Sequence, residues 1–550
     1  MTQRNLVRVK TDPKLAFRVH NVPPKNKIVS YAIKKHCPPE IIEAAINGYR
    51  RSDVSVNALV EDFMRCDIEK PPLIWDEHLL AGIERTKQLL LPPYKTRPVH
   101  YCDLREFPWT LSTSVEAPYS TDTKKVPLVL KKLFDIKQNS DMRRTFHNLY
   151  NYVFVKNRGI VHQIKDHGPQ GDKFFYYNTA HARSHLVENQ AEDKVRMVHG
   201  VPKLLIQVEA MFLYPYFNFL RKQTTAMLWG YETMMGGVYR LYNDVFSADS
   251  HFNTFCGFDW KMFDKRVSFE LIDIVHQCWF DNLILDQGYI PSVHYTETVS
   301  QPERMTNLWN WMTHAVKHTP ILLPDGSLWK RRYATLASGM LQTQILDSWV
   351  NSIVLNTTFH SLGFDINSML LKLMGDDSFV ATHMVKSYAY DTLLKAVEKE
   401  ALRRFGFILH PESQCQSTIE GLNILGYSCN HGLPKRDQVS LLAQLLYPEK
   451  YPNLSQLRAR AVGIAMASCG QDDLVYKVCK DVFEYCTSQG VTESDPSGTH
   501  FRNYIKEFFD VDYNVFPDKL WLQSRLLESN VRSLRKNDTF WKKDYFLSEF

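Results

Sequence analysis

The decisive stretch is Leu371-Lys372-Leu373-Met374-Gly375-Asp376-Asp377-Ser378-Phe379-Val380, in which a glycine-led turn carrying adjacent carboxylates joins two apolar runs. The runs at 371–374 and 379–383 read as the two strands of a hairpin, and glycine accepts the backbone conformation that a tight hairpin turn demands. Two acids at a hairpin tip repel each other unless something positive sits beside them, and a divalent cation is the commonest such partner. The triplet alone proves little. A near-copy, Gly470-Gln471-Asp472-Asp473, lies between helix-like segments, where an acid is expected to cap a helix.

With 550 residues and 44% hydrophobic composition, the chain is long and apolar enough for a folded globular protein. Its 66 Lys and Arg against 60 Asp and Glu leave +6, which suits a polyanionic partner and an ordinary soluble surface equally. Ten cysteines without a repeated CxxC or Cys/His cluster argue against a disulfide scaffold or structural zinc and fit a reducing interior. The apolar stretch 204–219 is broken by Gln207, Glu209 and Pro215, and the N-terminus has charge without an apolar core. Neither export nor membrane anchoring is expected.

Residues 1–36 are basic and read as loop, able to contact RNA or to wrap another part of the fold. Helical periodicity follows at 40–51, 54–64 and 79–91, and the polar stretch 109–125 reads as a loop. A turn at Gly168 to Gly171 leads into a short aromatic strand candidate at 172–177. In the segment 193–203, Lys194 and Arg196 share one side of an extended chain and Lys203 follows the turn; such cations suit a triphosphate, or simply a solvated strand. An apolar helix is expected at 206–220, with Gly236-Gly237 closing the next one.

Two further segments give the hairpin its context. Phe255-Cys256-Gly257-Phe258-Asp259 is an apolar strand ending on an acid, and Asp264 follows in the turn toward a helix containing Leu271, Ile272 and Val275. Each acid taken singly reads as a turn or cap residue; together they can reach a metal and a sugar. In Ser338-Gly339-Met340-Leu341-Gln342-Thr343, a flexible loop precedes a helix whose Thr343 and Asp347 are four apart and share a face. Small hydroxyls with an acceptor suit a ribose 2′-hydroxyl, and Ser338 as a helix cap is the plainer alternative. Upstream, Pro324-Asp325-Gly326 marks a tight turn, and the returning strand bears Lys330, Arg331 and Arg332. With the Asp259 strand beside the hairpin, Asp259 and Asp376 would bridge two Mg2+ ions about 4 Å apart.

In that order (basic segment, D-x4-D, SG-x3-T, GDD, then Leu425-Gly426-Tyr427) the chain from about Asp193 to Asp437 resembles a viral RNA-dependent RNA polymerase, most closely those of the partitivirus and picobirnavirus-like double-stranded RNA viruses. The resemblance implies an α+β right-hand fold: a basic extension at 1–36, fingers with an N-terminal helical layer at 37–250, palm at 251–275 and 333–437, a fingers insertion at 276–332, and a mostly helical thumb at 438–550. It implies an RNA-directed RNA polymerase for genome replication and transcription. Asp259, Asp376 and Asp377 match its catalytic, metal-binding acids for two Mg2+ ions, with Mn2+ as substitute. Asp264 matches the ribose-sensing acid, while Lys194, Arg196, Ser338, Gly339, Thr343 and Asp347 match nucleotide-binding positions. Lys203, Arg331, Lys435 and Arg436 are expected to contact RNA, the last two from a primer-gripping hairpin at 426–436. Implied partners are RNA, the ribonucleoside triphosphates and a capsid protein, with residence in the virion interior and host cytoplasm. Many single-stranded RNA virus enzymes carry Asn where this chain has Asp347. The lysine expected to protonate pyrophosphate is not identifiable; Lys395 and Lys399 lie in a helix.

Two other readings remain at this stage. Reverse transcription is disfavoured because Asp264 occupies the position where DNA-making relatives place a bulky steric gate. A non-catalytic RNA-binding or particle-structural protein would require all three acidic motifs to be incidental.

Overall fold

The computed structural model describes residues 4–107, 109–137, 143–168, 176–247, 252–292, 294–384, 389–491 and 515–528. It is a mixed α+β fold whose centre is a four-stranded antiparallel sheet in the order Gln414–Gln416, Thr254–Phe258, Asp377–Thr382, Leu370–Met374. The central strands are buried on both faces, which explains their near-continuous apolar sequence. Alternation still sorts them. Phe255, Phe379 and Ala381 join one core with Leu228, Leu241 and Leu422, whereas Cys256, Phe258 and Val380 face the larger core on the other side.

That larger core is organised by the helix Thr343–Ser361, whose residues from Ser348 to Phe359 are all buried. The amphipathic helix Glu77–Leu90 lies against it at a glycine contact: a Cβ on Gly82 would sit 2.2 Å from Thr357 Oγ1. Small polar groups line the seam, with Thr86 Oγ1 and Ser352 Oγ 2.9 Å apart.

A five-stranded sheet runs in the order Leu6–Thr11, Ser327–Arg331, Ile321–Leu322, Asn178–Ser184, Val195–Gly200, with one parallel pairing between Ile321–Leu322 and Asn178–Ser184. The expected turn at Pro324-Asp325-Gly326 closes its hairpin, with Gly326 at φ 81°. A three-stranded sheet, Asn423–Ile424, Tyr427–Asn430 and Leu433–Lys435, leads into the helices Gln438–Leu446, Leu454–Ala467 and Asp473–Ser488. Asp472 caps the last of these by accepting from Val475 N at 2.8 Å, as the setting of the second Gly-x-Asp-Asp implied.

The expected helices at 40–51, 54–64, 79–91 and 206–220 appear as Pro39–Asn47, Val56–Met64, Glu77–Leu90 and Lys203–Lys222. Residues 1–36 correct the loop reading. Leu6–Thr11 pairs with Ser327–Arg331, and the helix Lys27–His36 buries Val29 and Ile33 among Leu442, Val462 and Val478 of the C-terminal helices. Asn5 fixes the strand's entry, donating to Cys66 O at 2.9 Å and accepting from Ala334 N at 3.1 Å. Gly237 opens the helix Gly237–Ser247 rather than closing one. The helix Gln438–Leu446 begins the segment expected to be mostly helical. The strand candidate at 172–177 falls mostly outside the described residues, as does much of the expected helical thumb beyond residue 491. All ten cysteines are free. Among the described residues, no helix is long and apolar enough to cross a membrane.

Candidate active site on the acidic hairpin

The hairpin turns through Gly375 and Asp376 between the paired residues Met374 and Asp377. Gly375 has φ 68°, and a two-residue loop with glycine first is the signature of a type II′ turn, whose twist matches the flanking strands. The neighbouring strand pairs Phe258 with Ser378, so the next residue, Asp259, comes level with Asp377. The carboxylates of two strands are thereby gathered at one end of the sheet.

Their titration carries the mark of crowding. Burial first, and the Asp376 and Asp259 charges next, push Asp377 up to about 6 even though its residue surface opens to the cleft. Asp376 is raised above the usual carboxylate range by burial, with Asp259 adding to the rise and the Arg196 guanidinium opposing it. Asp264 is raised by burial against the pull of Lys265 and Arg196. Asp347 is raised furthest by burial, then by Asp264 and Asp376, and its Oδ1 is buried with no hydrogen-bond partner among the described residues. All five expected acids, Asp259, Asp264, Asp347, Asp376 and Asp377, are therefore linked by charge, and Arg196 acts on Asp264, Asp376 and Asp377.

The backbone around them is held from behind. Asp259 O accepts from His410 N at 2.8 Å and Ser413 Oγ at 3.0 Å. Asn351 donates through Nδ2 to Gly375 O at 3.0 Å and Asp376 O at 2.9 Å, and its Oδ1 accepts from Trp260 Nε1 at 3.0 Å. Ser348 Oγ accepts from Gly375 N at 2.8 Å. One helix thus grips the turn and the residue after Asp259 together. The sequence reading missed both residues, although Asn351 continues the face of Thr343 and Asp347 by one more step of four.

The loop before that helix is equally constrained. Ser338 Oγ accepts from His199 N at 3.2 Å instead of capping the helix, and a Cβ on Gly339, at φ 91°, would lie 2.2 Å from His199 O. Thr343 Oγ1 donates to Ala337 O at 3.0 Å. Buried Glu209 accepts from Leu341 N at 2.9 Å and Gln342 Nε2 at 2.7 Å, and Gln342 Oε1 lies 2.6 Å from His276 Nε2. Asp264 sits in the short helix Phe263–Arg266, where Leu336 N donates to its carbonyl at 2.8 Å. Beside it, the buried Lys265 pairs with Asp62, whose Oδ2 accepts from Met197 N at 2.9 Å. That link joins the Asp264 helix to the strand bearing Arg196.

A family model described as viral RNA-dependent RNA polymerase matches residues 176–483, the interval containing all of these elements except the helix that bears Asp62. The chain belongs to the viral RNA-dependent RNA polymerase family. It is an RNA-directed RNA polymerase. Among similar proteins, an RNA-directed RNA polymerase of White clover cryptic virus 1 is 26% identical over 548 residues, covering 91% of this chain and 88% of that one. One from Atkinsonella hypoxylon virus is 29% identical over 462 residues, covering 73% and 67% respectively.

Two RNA-contact expectations for this polymerase are corrected. Lys203 is 7% exposed because it opens a buried helix, and its Nζ donates to Thr113 Oγ1 at 3.2 Å over the Phe146 ring. Arg331 is 3% exposed, donating through Nη1 to Thr335 O at 2.6 Å and through Nη2 to Val316 O at 3.1 Å. Both are structural cations. Lys194 and Arg196 are exposed, and the Lys194 charge acts on His185. Lys435 is exposed, while Arg436 lies over the Tyr427 ring at 5.3 Å. The Leu425-Gly426 turn lines a cavity of about 190 Å3 with Asp259 and Asp377, and Leu425 adopts φ 54°, a strained conformation beside the site. His410 and Glu412 were not foreseen; with Asp259 they offer ligand atoms within 4.8 Å of one another.

Proposed function

We propose that the polymerase replicates and transcribes the genome of a double-stranded RNA virus by two-metal nucleotidyl transfer, in which Asp259 and Asp376, with Asp377 beside them, would hold the divalent cations. The observation that carries this reading is the strand register that brings Asp259 level with Asp377 next to Asp376. The donor set fits hard divalent cations: the acids supply only oxygen, and burial together with their mutual charge raises Asp376 and Asp377, a cost that a cation removes. Bound Mg2+ or Mn2+ would activate the primer 3′-hydroxyl and stabilise charge on the transferring phosphoryl group and pyrophosphate.

The protein's own share is positioning. Asn351 and Ser348 hold the turn, and Arg196 meets the triphosphate. Asp264 and Asp347, with Thr343, face the ribose, where a protonated Asp347 can donate to as well as accept from a 2′-hydroxyl. In right-hand terms the acidic sheet is palm, the five-stranded sheet belongs to the fingers and the C-terminal helices form the thumb. Lys435 and Arg436 contact the primer strand, and the enzyme works inside a particle beside capsid protein.

Incorporation of labelled ribonucleotides on a defined RNA template with Mg2+ tests this, wild type against Asp376→Asn. Template-dependent product from wild type alone is expected. Equal product from a folded Asp376→Asn would refute the ligand assignment.

A further inference from the structure

A larger cavity lies away from the acidic hairpin, where the Arg183 strand meets the C-terminal helices. Its volume is about 660 Å3, and Arg51, Arg183, His185, Gln444, Glu449 and Arg460 are among its lining residues. The three arginines come from Tyr49–Arg51, Asn178–Ser184 and Leu454–Ala467, elements far apart in sequence. Arg51 donates through Nε to Tyr447 O at 2.8 Å and through Nη1 to Ser184 O at 3.0 Å, and Arg460 donates to Gln444 O. Those carbonyls fix the guanidiniums without neutralising them.

Glu449 is the one acid among the lining residues, 3.1 Å from Arg183 Nε and 3.8 Å from Arg51 Nη1. Three guanidiniums thus face one carboxylate. Burial pulls Arg460 down to about 10, with the Arg51 charge adding to the fall and Glu449 opposing it. Arg460 Nε and His185 Nε2 are buried with no hydrogen-bond partner among the described residues. Like charges held together in a partly buried pocket are unfavourable until an anion joins them, and guanidinium forks match phosphate oxygens.

We propose that this cavity is a second, non-catalytic site for a ribonucleoside triphosphate, whose phosphates Arg51, Arg183 and Arg460 grip with His185 alongside. The volume is that of a small-molecule pocket. The cations converge on one point from three elements, whereas a nucleic-acid strand calls for cations tracking along a groove. Arg183 is the cross-strand partner of Arg196, so an occupant would pin the Arg196 strand to the C-terminal helices.

Photo-crosslinking of an 8-azido-ATP probe to the full-length protein without RNA, followed by peptide mapping, tests the proposal. Label is expected within 183–186 or 444–464, competed by ATP and by inorganic triphosphate, and unchanged in Asp376→Asn, which separates this site from the catalytic one. Arg460→Gln is expected to weaken apparent affinity about tenfold or more. Should that variant unfold, Arg183→Ser decides, since this side chain is 59% exposed and its loss leaves the core intact. Label confined to the acidic site, competition by an RNA oligomer but not by triphosphate, or undiminished labelling in a folded arginine variant would overturn it.

Discussion

Replacing Asn351 should uncouple the acidic turn from the helix behind it. Its side chain makes three hydrogen bonds, two to the carbonyls of Gly375 and Asp376 and one from the Trp260 indole. Asn351→Ala strands a buried indole N–H, at about 1–3 kcal/mol, and removes two carbonyl partners at about 1 kcal/mol each, a total of about 3–5 kcal/mol of folding stability. Asn351→Asp is the sharper probe. It keeps the acceptor for Trp260 but turns the donor into a carboxylate oxygen facing two carbonyls. Ser348 still holds Gly375 N at 2.8 Å, so the turn should shift without melting. A displacement of order 1 Å at a reacting centre costs about 10²-fold in rate. Single-nucleotide incorporation on a primed RNA should therefore give kcat down by about two orders of magnitude with nucleotide KM little changed, alongside a modest loss of thermal stability. An Asn351→Asp enzyme that keeps kcat within about threefold of wild type would refute the reasoning, because the turn would then be set by other contacts.

The buried Glu209 gives a pH test. Burial pushes its carboxyl up to about 7 from 4.5, against hydrogen bonds from Gln342 and Leu341, so the folded state holds the proton more tightly than the unfolded chain. Its contribution is complete below pH 4.5 and declines as pH rises through 7, by about 3 kcal/mol in all. Urea midpoints of wild type minus Glu209→Gln should therefore fall between pH 5 and pH 8, and a flat difference would show that Glu209 titrates normally. Asp62→Ala should cost about 3–5 kcal/mol by leaving Lys265 charged and buried. Because Asp62 also anchors Met197 N, one residue from Arg196, the variant should raise nucleotide KM more than it lowers kcat. An unchanged KM in initial-rate assays would separate that ion pair from nucleotide binding.

What the sequence determined by itself is local. The glycine-led turn, the apolar runs that flank it, the cap at Asp472 and the turn at Gly326 depend on residues within a few positions of one another, where backbone preference and local apolar pattern decide the outcome. The order of acidic and hydroxyl motifs marked the site for the same reason: each sits at the end of a short, strongly patterned element.

Tertiary structure decided what local chemistry leaves degenerate. A lysine in a basic segment reads alike whether it meets solvent or, as Lys203 does, Thr113 and the Phe146 ring. Arg331 belongs to a cationic strand until the fold wraps it in carbonyls. Residues 1–36 lack strong periodicity, and only pairing with a strand more than 300 residues away orders Leu6–Thr11. Asn351 is an ordinary helix polar residue until register brings the Gly375 and Asp376 carbonyls to its amide. Burial and register are properties of the partner surface, so the site's acids could be read from the chain while the residues that hold them had to await the fold.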